Sequence, residues 1–106
     1  MWVEVENEII YKSPDEKFYI GIDFSPNFSS GEYIDASNVS ITAVEKGTGQ
    51  DATDVIMDAA TIQVQDGTKL IVNIQGGEEG KWYVITFKIT TTLGNVFEEE
   101  REIVVK

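Results

Sequence analysis

The stretch "GGEEGKWYVITFKITTTLGNVFEEEREIVVK" (residues 76–106) decides the fold of this chain. From Trp82 onward, hydrophobic residues recur at every second position on both sides of a single glycine, Gly94. A period of two is the pattern of a β-strand that is buried on one face. Two such segments joined by a short glycine-containing turn predict one long antiparallel hairpin at the end of the chain.

The length of the turn follows from which side chains can be buried. A two-residue loop at Gly94–Asn95 would direct Glu100 and Glu102 into the core, at a cost of several kcal/mol each. A three-residue loop, 92–94, moves the register by one residue and turns every side chain to the other face. It also puts Gly94 where a bulged turn needs a left-handed residue. The predicted cross-strand pairs are Ile89–Phe97, Tyr83–Ile103 and Lys88–Glu98.

This register divides the hairpin into two faces with different chemistry. Glu98, Glu100 and Glu102 share the outer face, whereas Glu99 and Arg101 lie on the inner side near the edge, where we expect them to pair. The acidic run is therefore a solvated strand face.

The other end of the outer face is apolar, because Trp82 comes opposite Val104, with Val84 one step along the strand. We expect these three residues to form a partner interface. The alternative is that the N-terminal segment, with Trp2 and Val3, folds over them and buries them.

The same burial argument applies upstream, at Gln65–Asp66–Gly67. A three-residue loop there sets Ile62 opposite Leu70 and gives Gly67 a positive φ. Strands are predicted within residues 8–12, over 17–24 with Ile20 and Ile22 inward, and over 38–44. Residues 25–37 and 45–54 are predicted loops, and Phe28 and Ile34 are expected to close the base of the core.

About seven short strands without a long helix predict an all-β fold, a single immunoglobulin-like antiparallel β-sandwich over residues 1–106. Within the last connection, Gly80 and Tyr83 have the spacing of a tyrosine corner, in which the phenol hydrogen-bonds back to the preceding connection. The two residues are thus assigned a structural role.

Composition excludes several classes of function. The 106 residues include no cysteine and no histidine, so disulfides, thiolate metal sites and the commonest general base are absent. A net charge of −11 repels nucleic acid and anionic membrane surfaces. No apolar run reaches the roughly 20 residues of a spanning helix. The N-terminus lacks a signal-peptide pattern, so we expect cytoplasmic synthesis.

The carboxylates do not form a recognisable site. A group of acidic residues lies in or near loops, but without the spacing of a calcium-binding loop and without a facing pair for glycoside hydrolysis: Asp51, Asp54, Asp58, Glu78 and Glu79. We therefore expect no catalytic residue, no metal and no cofactor. Calcium bound by the acidic loops stays open as an alternative.

Residues 12–34 and 76–105 resemble the small, immunoglobulin-like virion proteins of tailed bacteriophages and prophages, known as fibre–tail adaptor or minor structural proteins. The shared motifs are Pro14-Asp15-Glu16, Asp23-Phe24-Ser25, Gly31-Glu32-Tyr33-Ile34, Gly76-Gly77, Gly80, Tyr83, Ile89-Thr90-Thr91, Gly94 and Glu100-Arg101-Glu102.

The resemblance implies a non-enzymatic structural or adaptor component of a phage or prophage particle. Such a protein acts through contacts with other virion proteins, resides in the virion after assembly, and forms oligomers only within that assembly. The alternative function is a free-standing bacterial recognition module that binds carbohydrate or protein, and a third is an adhesion module stabilised by calcium.

Overall fold

The structure, a computed structural model, describes residues 2–4 and 9–106, and of residues 2–4 it gives the backbone alone. Within those residues the chain forms two short helical turns, a 3₁₀ turn at Ser25–Asn27 and α1 at Thr53–Ile56. The strands are β1 (Trp2–Glu4), β2 (Ile9–Lys12), β3 (Phe18–Asp23), β4 (Ile34–Glu45), β5 (Met57–Gln65), β6 (Lys69–Ile74), β7 (Trp82–Thr91) and β8 (Val96–Val105).

These strands form two sheets with the orders β1-β3-β6-β5 and β2-β8-β7-β4. The first order is that of the A-B-E-D sheet of an immunoglobulin domain, and the second is its C-F-G sheet with β2 added beside the last strand. The predicted immunoglobulin-like β-sandwich is therefore confirmed. Two edge pairs, β1 with β3 and β2 with β8, are parallel rather than antiparallel. Neither pair is joined by a hairpin, so no tight turn imposes an antiparallel direction on them.

The core lies between the sheets and is almost entirely aliphatic and aromatic. The inward positions of β7 are fully buried, as are Phe24 at the end of β3 and Ile103 on β8. Ile20 and Ile22 point inward as predicted. Ile34 is also buried, and Phe28 is partly buried against the core, so both residues close its base.

The β7–β8 hairpin has the predicted register. Tyr83 pairs with Ile103, Lys88 with Glu98 and Ile89 with Phe97. The connection is the three-residue loop 92–94, with Gly94 at a φ of 85°. On the inner side, the Arg101 guanidinium lies 3.3 Å from the Glu99 carboxylate, the pair expected from the sequence.

The β5–β6 register differs from the prediction by two residues. Val64, not Ile62, pairs with Leu70, and the loop is 66–68. Asp66 and Gly67 both have positive φ, 56° and 68°, which places the tight left-handed turn one residue later than expected. A shift of two residues keeps each side chain on its predicted face, so burial alone does not distinguish the two registers.

Several elements were not predicted from the sequence. β1 and α1 are too short to show a period, and β4 begins at Ile34, inside a predicted loop. The pairing of β4 with β7 is interrupted after Ile34 and resumes at Val39, one residue into the predicted strand. The polar residues between these two positions do not alternate, which is why the pattern there is typical of a loop.

Candidate docking face

The outer face of the β2-β8-β7-β4 sheet brings apolar residues from four strands together. Tyr11 on β2 pairs with Val104, and Val104 pairs with Trp82. In the next row, Val84 pairs with Val44 of β4. We call Tyr11, Val44, Trp82, Val84 and Val104 the Trp82 patch.

Three members of the Trp82 patch are exposed large hydrophobic residues. Their side chains retain 56% (Tyr11), 39% (Trp82) and 37% (Val44) of their accessible surface. Tyr11 and Val44 were not predicted as part of the patch, because they lie on strands whose register with the hairpin cannot be read from the hairpin itself. Val84 and Val104 are half-buried beside them.

The alternative of an N-terminal cover over this patch, formed by Trp2 and Val3, is wrong. The backbone of β1 pairs with β3 in the opposite sheet, with Trp2 beside Tyr19 and Val3 beside Ile20. The free edge of β3 offers unpaired backbone donors and acceptors, and the segment satisfies its own backbone groups there.

Two lysines of the chain itself stack on the aromatic rings of the patch. The Lys46 ammonium lies 4.7 Å from the centre of the Trp82 ring and also pairs with the Glu102 carboxylate. The Lys106 ammonium lies 4.9 Å from the centre of the Tyr11 ring. Cation–π contacts of this kind contribute about 0.5–1 kcal/mol each at exposed sites, and they favour the ring orientation that allows them.

The remainder of the face is polar and acidic. Glu98, Glu100 and Glu102 follow one another along β8 on this side, and Lys88 lies 3.8 Å from Glu98. A depression of about 240 Å³ lies between Val84, Glu100 and Glu102. It is smaller than the usual site for a small molecule.

Gly80 and Tyr83 lie beside this face, with Gly80 exposed and Tyr83 in the core. Tyr83 is buried, and its hydroxyl accepts a hydrogen bond from the backbone N–H of Glu78 at 3.0 Å. Gly80 has a φ of 87° and donates its N–H to the Val105 carbonyl at 2.8 Å. These contacts attach the β6–β7 connection to the end of the hairpin.

The loop carboxylates are engaged in local structure. The Asp51 carboxylate accepts hydrogen bonds from the Thr53 hydroxyl (2.8 Å) and backbone N–H, and these bonds lower the pKa of Asp51. Asp58 accepts the Ala60 N–H, and Glu78 pairs with Lys81 at 3.2 Å. Within residues 9–106, no three acidic residues converge to hold a metal ion.

A second cluster, missed from the sequence, lies at the opposite end of the sandwich. Glu32 is only 3% exposed, and its carboxylate accepts hydrogen bonds from the Ser29 N–H (2.9 Å), the Thr91 hydroxyl and the Asn95 amide (2.8 Å). These hydrogen bonds lower the pKa of Glu32. They join the β3–β4 connection to the β7–β8 turn. We call the residues of these two segments and of turn 66–68 the loop end.

The described residues thus form an immunoglobulin-like sandwich with an exposed aromatic patch on one sheet. Residues 12–106 match the family model described as podophage GP4 fiber-tail adaptor protein gp77. The chain belongs to this family, which confirms the resemblance seen in its motifs. Membership gives the protein a structural adaptor role in a phage particle and suggests a non-enzyme.

Other comparisons add no further relative. No curated protein and no solved structure matches the chain. Among the described residues, no helix is long and apolar enough to cross a membrane.

Proposed function

We propose that this protein joins a phage fibre to the tail through protein–protein contacts, and that the Trp82 patch is one of its docking surfaces. The observation that carries the proposal is the contiguous apolar patch on an otherwise polar sheet face, with Trp82 at 39% exposure. Tryptophan and tyrosine are the side chains that most often anchor protein interfaces.

The support beneath the patch favours docking with little reorganisation. Trp82 lies on a central hairpin strand, and its carbonyl accepts the Lys46 N–H at 2.9 Å. The ring also has the Lys46 ammonium over it. A side chain that is already oriented loses less conformational entropy when a partner covers it.

The acidic half of the face favours a partner that is not a second copy. Glu98 and Glu100 would oppose the same carboxylates of another molecule stacked on this face, and the net charge of −11 adds to that repulsion. A partner with basic residues beside an apolar centre complements the face. The same charges keep the free protein soluble before assembly.

The role proposed is non-enzymatic and excludes nucleic acid as a partner. Near Trp82, Glu102 is paired with Lys46 and Glu45 with Lys81, and the negative charge of the whole chain repels phosphate backbones. The proposed location is the virion after assembly in the cytoplasm.

Trp82→Ala tests the proposal in particles assembled in vivo. We expect a stably folded protein, measured by its thermal midpoint, that is no longer incorporated into particles. A matched pair of valines controls for lost apolar surface: Val44→Ser lies in the patch, and Val55→Ser, 49% exposed on α1, lies off it. Normal incorporation of both Trp82→Ala and Val44→Ser contradicts the proposal. A loss of incorporation that is explained entirely by a lowered thermal midpoint contradicts it as well.

A further inference from the structure

We propose that the loop end, with Tyr33 and Leu93 at its surface, is a second docking surface for a protein whose contact face is apolar at its centre and rimmed by Lys or Arg. This inference rests on the proposed adaptor function, because it supplies the second contact that an adaptor needs. It concerns different residues and a different end of the molecule.

Two exposed large apolar residues lie on neighbouring segments at the loop end. Leu93 is 61% exposed and Tyr33 is 52% exposed. Their segments are joined by two hydrogen bonds: the Thr92 N–H donates to the Tyr33 carbonyl at 2.8 Å, and the Tyr33 N–H donates to the Thr92 hydroxyl at 3.2 Å. Leu93 occupies the middle of a turn, a position where polar residues are usual.

The surface is held rigidly from below. The buried Glu32 carboxylate fixes the turn through Thr91 and Asn95. The Tyr33 ring lies so close to Gly67 that a Cβ there would be 3.0 Å from its Cδ1 atom. These contacts fix Tyr33 and Leu93 in place without covering them, which is the arrangement of a pre-organised interface.

The loop end is too far from the Trp82 patch for both to belong to one compact contact. Trp82 and Thr91 are the first and last residues of β7, and a strand of that length spans about 30 Å. Thr92 and Leu93 lie beyond its far end. A protein seated on the Trp82 patch therefore leaves Leu93 free for another partner.

The rim of the loop end is negatively charged. Asp35 follows the Tyr33 segment, and hydrogen bonds from Ser37 and Asn38 lower the pKa of its carboxyl, so it is ionised at neutral pH. Asp66 lies beside Gly67 and pairs with Lys69 at 3.3 Å. A partner with Lys or Arg around an apolar pocket complements this arrangement.

The test uses two purified probes: particles assembled without this protein, and isolated fibres of the same phage. Binding of the full-length protein is measured to each probe for Leu93→Ser, for Trp82→Ala and for the control Val55→Ser. We expect Leu93→Ser to weaken binding to one probe by about tenfold or more, and Trp82→Ala to weaken binding to the other. Val55→Ser binds both probes as the wild type does.

The outcomes separate the two proposals. If Leu93→Ser binds both probes normally while Trp82→Ala loses one, the loop end is not a docking surface and the proposed function stands. If Trp82→Ala binds both normally while Leu93→Ser loses one, the Trp82 patch fails and the loop end stands. Loss of both probes by Leu93→Ser, with a lowered thermal midpoint, contradicts a local docking role.

A second variant tests the charge of the partner without touching the apolar surface. Asp66→Asn keeps a residue that tolerates the positive φ at this position. We expect it to weaken binding to the probe that Leu93→Ser loses, and to flatten the dependence of that binding on salt. Unchanged affinity and unchanged salt dependence contradict a basic rim on the partner.

Discussion

At the scale of the residue, Glu32 shows how a single carboxylate organises one end of the molecule. Both of its oxygens accept hydrogen bonds, and the donors come from two segments far apart in the sequence. The motif around it, Gly31-Glu32-Tyr33-Ile34, predicts a turn. The hydrogen-bond partners of Glu32 could not be predicted from the sequence, because only the pairing of β4 with β7 brings them near.

We expect Glu32 to make stability depend on pH. Its hydrogen bonds hold the pKa in the folded state below the ordinary value of 4.5, so its stabilising contribution is complete above about that pH. The contribution is lost as the pH falls through the lowered folded-state pKa. Denaturant unfolding of Glu32→Gln and wild type should therefore differ most at pH 7 and converge in acid. Glu100→Gln, on the solvated face, is the control, and a gap that stays constant with pH would refute this origin.

Tyr83 gives a second prediction for a single residue. Tyr83→Phe leaves the Glu78 N–H without its acceptor, so we expect a loss of about 1–2 kcal/mol in the free energy of unfolding. The change is measured from the denaturation midpoint with Tyr11→Phe, whose ring is exposed, as the control. Equal midpoints for Tyr83→Phe and wild type would show that the corner hydrogen bond contributes nothing.

At the scale of the element, the two hairpins show what a burial pattern can and cannot specify. In β7–β8, the wrong register would bury glutamates, so burial selects the right one. In β5–β6, registers that differ by two residues bury the same face, and the choice depends on the conformation of Asp66 and Gly67. The set of side chains that faces the core was predictable for both hairpins, whereas the cross-strand residue pairs were predictable only for β7–β8.

Two glycines of the β6–β7 connection provide a matched test of why this element is glycine-rich. Gly77 and Gly80 have nearly equal φ values, 88° and 87°. A Cβ on Gly77 would lie 2.7 Å from Val105 Cγ2 and 2.8 Å from Ile56 Cδ1, whereas a Cβ on Gly80 meets nothing within 4 Å.

We expect Gly80→Ala to cost about 1 kcal/mol from backbone strain alone, and Gly77→Ala to cost about 1–3 kcal/mol more from overpacking. Chemical denaturation of both variants measures the difference. Equal losses would mean that the neighbours of Gly77 move aside without cost.

At the scale of the whole molecule, the fold class followed from alternation and turn signals, but the assembled surfaces did not. Trp82, Val84 and Val104 were identifiable because one hairpin carries them all. Tyr11 on β2 and Val44 on β4 lie beside them only because β2 pairs with β8 and β4 pairs with β7. The place of β1 beside β3 was not predictable, since a three-residue strand carries too little pattern to choose between two sheets.

We expect the chain to unfold as one cooperative unit, because one core joins both sheets. We also expect no metal requirement, because carboxylates in and near the acidic loops accept hydrogen bonds from neighbouring residues or pair with lysines. Thermal melts in EDTA and in calcium should have the same midpoint. A clearly higher midpoint in calcium would support the alternative of a calcium-stabilised recognition module.

The parallel pairing of β2 with β8 has a mechanical consequence. A force that pulls residue 9 and residue 106 apart acts along both strands in opposite directions, so it loads the whole ladder from Ile9–Glu102 to Lys12–Val105 in shear. Hydrogen bonds loaded in shear resist together, whereas those of a hairpin pulled at its open end break in succession. We therefore expect a high rupture force when single molecules are stretched from these two points, and a lower one when the attachment at residue 106 is moved to the 92–94 turn. A domain that links two components of a particle would carry a pulling force of this direction along its β2–β8 edge.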